Sequence, residues 1–121
     1  MIHEDEINLT GRWLFFEDFG VGNDNGWLSW TDTSGVLEGE LEFTERIEDD
    51  APFSIKLKIK GTRKGSKVKF KATAILWLKT DEPMTYNLDK WEGIVNTQGV
   101  IVGSSIDAEG VCGVFTLRKD I

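Results

Sequence analysis

The sequence predicts an all-β fold, an eight-stranded antiparallel up-and-down β-barrel. Three observations carry this prediction. Apolar and polar residues alternate with a period of two along most of the 121 residues, and only a half-buried strand sends successive side chains to opposite faces. Short clusters of Gly, Asn, Asp and Ser separate the alternating runs and suit tight turns. No window sustains the three-and-four apolar spacing of a helix. Closing such a sheet on itself removes its exposed edges. A two-sheet β-sandwich uses the same strands and is the alternative architecture. The length suits a single domain, with residues 1–10 expected as a flexible N-terminal tail and 11–121 as the barrel.

The elements follow in order. Gly11-Arg12-Trp13-Leu14-Phe15-Phe16 reads as the first strand, and Gly26-Trp27-Leu28-Ser29-Trp30-Thr31 as the second. A turn at Asp32-Thr33-Ser34-Gly35 leads to a third, in which Leu37, Gly39, Leu41 and Phe43 alternate with Glu38, Glu40 and Glu42. Residues 44–52 have room for one short helical turn. The clearest alternation comes next, with Phe53, Ile55, Leu57 and Ile59 on one face and Ser54, Lys56, Lys58 and Lys60 on the other. A glycine turn at 61–66 joins it to the strand 67–78, which forms a hairpin with it. Three last strands, 91–96, 100–106 and 111–118, are parted by turns at Asn96-Thr97-Gln98-Gly99 and Asp107-Ala108-Glu109-Gly110.

Charge is unevenly spread. The net charge of −7 divides into −12 over residues 1–50, +9 over 51–79 and −4 over 80–121. An acidic chain repels nucleic acid at long range, and no aromatic residue is interleaved on the lysine face for stacking on single strands, so nucleic acid is not an expected partner. In an up-and-down barrel, alternate links share one end. Those at 17–25, 45–52, 79–85 and 107–110 carry Glu17, Asp18, Asp24, Glu45, Glu48, Asp49, Asp50, Asp81, Glu82, Asp107 and Glu109 against Arg46 and Lys79. Loops carry acids for solubility, and four loops of one sign at one rim also make a mouth that draws a cationic ligand or a basic protein surface. The 17–25 segment, with Phe19 and Val21 among glycines, reads as a mobile lid.

Several function classes lack their residues. His3 is the only histidine, so neither a histidine base nor a zinc site is expected, and no catalytic residue is assigned. Asp18, Asn23, Asp24 and Asn25 lack the acid spacing and closing Glu of an EF-hand, so no metal and no cofactor is expected. Cys112, the single cysteine, sits between Val111 and Gly113 as an expected buried structural thiol, and its solitude suits a reducing compartment. No run of ~20 apolar residues predicts a membrane helix. The acidic start Met1-Ile2-His3-Glu4-Asp5-Glu6 differs from a basic leader, and a cytoplasmic location is expected.

Leu9-Thr10-Gly11-Arg12-Trp13 resembles the opening of the calycin superfamily, which holds lipocalins, fatty-acid-binding proteins and avidins. The resemblance implies that Gly11 and Trp13 close one barrel end, with Arg118 from the last strand packed over the indole. The Leu-Thr-Gly-x-Trp start is most similar to avidin. However, Leu14-Phe15-Phe16-Glu17 replaces the polar biotin-binding set, and the Thr-Asp-Tyr triplet of lipocalins is absent. A fold is implied without a ligand. Of the five tryptophans, Trp13 and Trp30 are expected inside, and Trp27, Trp77 and Trp91 at exposed contacts. The expected binding set is Asp18, Phe19, Asp24, Trp27, Glu48, Asp49, Asp50, Asp81 and Trp91. Its expected occupant is a small amphipathic or cationic molecule; the alternative is an inhibitor or immunity-type protein facing a basic toxin or nuclease domain.

Overall fold

The computed structural model describes residues 7–120. Eight strands follow one another: β1 (Gly11–Asp18), β2 (Gly22–Thr33), β3 (Val36–Ile47), β4 (Phe53–Lys64), β5 (Lys67–Lys79), β6 (Asp89–Val95), β7 (Ile101–Asp107) and β8 (Cys112–Lys119). Each pairs antiparallel with the next, and β8 returns to β1, with Phe15 opposite Leu117, so the barrel is closed and up-and-down. Among the described residues no helix forms, and residues 44–47 continue β3. The sandwich alternative is set aside by the β1–β8 ladder.

Alternation sorts the side chains. The inner positions Phe15, Leu28, Leu41, Phe43, Ile55, Leu57, Phe70, Trp91, Phe115 and Leu117 are all buried. The rings of Phe70 and Trp91 stack with centroids 5.0 Å apart, and Phe15 meets Trp91 edge-on at 6.3 Å. Each large side chain contributes about 1.5–3 kcal/mol on leaving water. These rings fill the middle of the barrel. Outside, the register sets Glu38, Glu40 and Glu42 opposite Lys60, Lys58 and Lys56, so acids offset part of the lysine column.

Glycine permits the tight inner curvature. Gly39 lies opposite Trp30, and a side chain there would meet the Ser29 carbonyl and come within 2.6 Å of the Trp30 Cα. Gly39→Ala is therefore expected to cost about 1–3 kcal/mol by forcing the β2–β3 backbones apart, measured as a lower urea midpoint.

One end of the barrel is a floor built on Leu9. Its carbonyl accepts the indole N–H of both Trp13 and Trp30 at 2.8 Å. Its own N–H donates to Asp32 Oδ2 at 3.0 Å, while Arg63 Nε donates to the same oxygen at 2.7 Å. Leu9 is thus part of the core, so packing begins before the expected boundary at residue 11; residues 1–6, including His3, lie outside the described residues. Trp13 is buried as the resemblance implies, but Arg118 does not cover it. Arg118 points outward opposite Leu14, and the Lys119 ammonium lies 5.1 Å over the Trp13 ring. A one-residue step along a strand changes the face, and it gives the floor to Lys119.

Candidate functional site

At the other end the inner alternation runs past the last aromatic layer into acids. Glu17 follows Phe15 by two residues on β1, Glu45 follows Phe43 on β3, and Asp89 precedes Trp91 by two on β6. Asp24 on β2 is the cross-strand partner of both Glu17 and Glu45, and Asp89 faces Asp107 on β7. Five carboxyl groups therefore crown the core on its inner side. Like charges directly opposite one another destabilise a sheet, so the crown must be neutralised in part.

Hydrogen bonds and protons do this. Trp91 Nε1–H donates to Glu17 Oε1 at 2.8 Å, and the Tyr86 hydroxyl donates to Asp89 Oδ2 at 2.5 Å. Asp24 is only 2% exposed, and its Oδ1 meets no donor among the described residues. Burial first, then the Glu45 charge, pushes the Asp24 carboxyl up to about 11. It is a neutral acid at neutral pH, within hydrogen-bonding reach of Glu17 and Glu45. Burial also raises Glu17, against the hydrogen bonds from Trp91 and Ser105, and raises Glu45. Asp89 is pushed up to about 7 by burial, with the Tyr86 hydrogen bond working the other way. Tyr86 itself is raised by burial and by the neighbouring Asp89 charge, and stays a donor.

Above the crown lies a half-open pocket of about 280 Å³. Glu17, Glu45, Asp89, Asp107, Ser105 and Tyr86 form its polar part, and Phe19, Val21, Ile47, Met84 and Val111 its apolar rim; among the described residues no lysine or arginine lines it. The segment between β5 and β6 helps to build it. Tyr86 packs against Phe43 and Phe53 with centroids 6.2 and 6.0 Å away, which draws residues 84–87 across the barrel end.

Comparison with family models, with curated proteins and with solved structures returns no match. The site is therefore read from its own geometry, which offers a shared set of protons and a pocket whose remaining negative charge meets no basic side chain among the described residues.

The expected binding residues divide between several places. Phe19 lines the pocket and Asp24 lies beneath it. Asp18 is exposed, and its Oδ1 accepts the Gly20 N–H at 2.8 Å to hold a tight turn. β1 runs to Asp18 and β2 starts at Gly22, so the 17–25 segment is mostly paired strand and forms no lid. Glu48, Asp49, Asp50 and Asp81 stand exposed on the rim. Trp27 is 42% exposed but sits on the outer wall, with the Arg12 guanidinium 4.8 Å over its ring. Trp91 is 1% exposed, not a surface contact; it supports Glu17 from within. Cys112 is exposed rather than buried, because position 112 falls on the outer side next to the inward Gly113.

Sequence reasoning passed over Asp89, Tyr86 and Ser105 and counted Glu17, Glu45 and Asp107 only as rim acids. A usable signal was present: extending the period of two beyond Phe15, Phe43 and Trp91 lands on Glu17, Glu45 and Asp89.

Proposed function

We propose that this protein is a non-catalytic binding barrel that takes a small cationic, amphipathic molecule at its acidic mouth. The observation that supports this most is four carboxyl groups facing a pocket with no basic side chain in its lining among the described residues. An ammonium group would sit among Glu17, Glu45, Asp89 and Asp107, and its apolar part against Phe19, Met84 and Val111. The Tyr86 ring adds a face of the kind cations favour. The filled aromatic core limits the ligand to the mouth, whose volume of about 280 Å³ lies below that of common drug-sized pockets, roughly 300–1,000 Å³. The closed eight-strand topology and the buried Trp13 agree with the calycin resemblance, which we retain as part of the proposal.

The indole N–H of Trp91 is a built-in reporter because it donates to Glu17. Short primary alkylamines are expected to shift its proton resonance in a saturable way, while alkyl carboxylates of equal length leave it unmoved. Glu17→Gln with Glu45→Gln is expected to weaken the amine at least roughly tenfold, as loss of a charge-assisted contact does. Equal binding of amines and carboxylates, or no shift at millimolar amine, overturns the reading.

A second reading, a protein inhibitor of a basic domain, draws on the exposed rim. Glu48, Asp49, Asp50, Asp81 and Glu82 are exposed and form no ion pair among the described residues. Under that reading, Asp49→Lys and Asp50→Lys would abolish a steeply salt-dependent association, and the mouth variants would leave it unchanged.

A further inference from the structure

A separate feature lies on the barrel wall, where β5 and β6 part. Their ladder runs from Lys67 opposite Ile94 only as far as Lys71 opposite Lys90. β5 nevertheless continues to Lys79, held on one side by β4 alone. Among the described residues, no backbone hydrogen bond joins residues 80–88 to this stretch. Ladder groups on the outer edge of residues 73–79 therefore have no strand partner.

The sequence explains the parting. Alternation is regular through Lys67-Val68-Lys69-Phe70-Lys71-Ala72 and then fails in Thr73-Ala74-Ile75-Leu76-Trp77-Leu78. The register against β4 skips Thr73 and Leu76, the extra residues of two bulges. Bulges bend a strand and increase its twist, and they are common where pairing ends. Their effect shows in Ile75, which falls opposite the fully buried Leu57. Cross-strand partners share a face, yet Ile75 is 42% exposed and its neighbour Leu76 45% exposed, because no strand covers them. An apolar, unpaired edge is the form that accepts an added strand.

The charges around the edge select the guest. Lys58, Lys71, Lys79 and Lys90 are exposed and make no ion pair among the described residues, and β5 itself carries no acid. Two copies of this edge pairing antiparallel about Ile75 would set Lys71 of one chain beside Lys79 of the other, which like charges disfavour. We propose that residues 73–79 of β5 receive an extended segment of a partner protein, apolar and acidic in alternation, as an added antiparallel strand. Its main chain would pair with the free edge, its apolar side chains would cover Ile75 and Leu76, and its acids would meet the lysines.

Amide hydrogen exchange on the full chain tests this, with a short synthetic peptide of alternating Glu and Val as probe. Exchange at residues 73–79 is expected to slow by roughly tenfold or more at saturation. The same peptide with alternate amides N-methylated is expected to lose that protection, since it keeps the side chains and removes the donors. A charge swap, Lys71→Glu with Lys79→Glu, is expected to reject the Glu/Val peptide and accept a Lys/Val one. Protection placed elsewhere, equal protection by the methylated peptide, or an oligouridylate that displaces the peptide from the lysines overturns the proposal. Protection that rises with protein concentration alone assigns the edge to a second copy and overturns it too.

Discussion

Asp32→Ala is expected to cost the fold about 3–5 kcal/mol, the range for removing one partner of a buried ion pair. The Asp32 side chain is fully buried and that of Arg63 is 12% exposed. One carboxylate oxygen receives the Arg63 Nε and the Leu9 N–H, and the other receives the Gly35 N–H at 2.9 Å. Truncation leaves a guanidinium without its anion and two backbone donors without acceptors. It also loosens Leu9, whose carbonyl anchors Trp13 and Trp30, so the loss spreads across the floor. Burial alone would raise the Asp32 carboxyl, but the Arg63 and backbone hydrogen bonds and the Arg63 charge outweigh it and hold the group below its usual value of 3.8. A depressed carboxyl supports the fold above its unfolded pKa and loses that support as pH falls through the folded one. Urea denaturation at neutral pH measures the effect. A loss under about 1 kcal/mol, the scale of an exposed pair, would show that Asp32 and Arg63 do not act as a buried unit. Replacing both by apolar residues is expected to recover much of the loss, because the uncompensated charge is then gone.

How much of this was legible in the sequence depends on the range of each interaction. Strand order and hairpins are local consequences of alternation and turn residues, and residues 53–72 declare both directly. Closure was legible because eight sequential strands with short links leave the first and last to meet. Face assignment at the strand ends was less so. The 17–25 segment looks like a loop by its glycines and asparagines, yet Gly22 pairs with Ile47 and Glu17 with Asp24. There the inner face of a closed barrel overrides local turn propensity. That override turned Asp24 from a rim acid into a buried one and hid the carboxyl crown among ordinary loop charges. Trp91 failed for a related reason: its exposure depends on Phe15 and Phe70, which are distant in sequence and adjacent in space. At the floor, Arg118 and Lys119 differ by one position, and the choice between them rests on where the β1–β8 ladder begins.

The crown predicts a pH response opposite to that of Asp32. A carboxyl whose folded pKa is raised binds more protons in the native state than in the unfolded one, so it supports the fold at low pH and loses that support as pH rises. For Asp89 the loss runs from its ordinary value of 3.8 to about 7, and for Asp24 from 3.8 to about 11. Between about pH 5 and pH 7 the Asp24 group alone is expected to remove roughly 2–3 kcal/mol of stability, at 1.36 kcal/mol per pH unit. The protein should therefore gain stability on mild acidification and lose it only as pH falls below about 3.8 through the value at which Asp32 takes up its proton. Asp24→Asn keeps the shape and a donor towards Glu17 and Glu45 while deleting the titration. Its stability is expected to match that of the parent near pH 4 and to exceed it at pH 8 by about 5 kcal/mol, the same slope over about four pH units, with a flatter profile between. A parent whose stability climbs steadily from pH 5 to pH 8 would refute the shared-proton crown. The same protons bear on the mouth, because an ammonium ion and a proton neutralise the same carboxyl groups. Binding of an amine near pH 7 should expel protons from Asp89 and its neighbours, seen calorimetrically as a binding heat that changes with the ionisation enthalpy of the buffer. A cation held only at the exposed rim, away from Glu17 and Asp89, would release none.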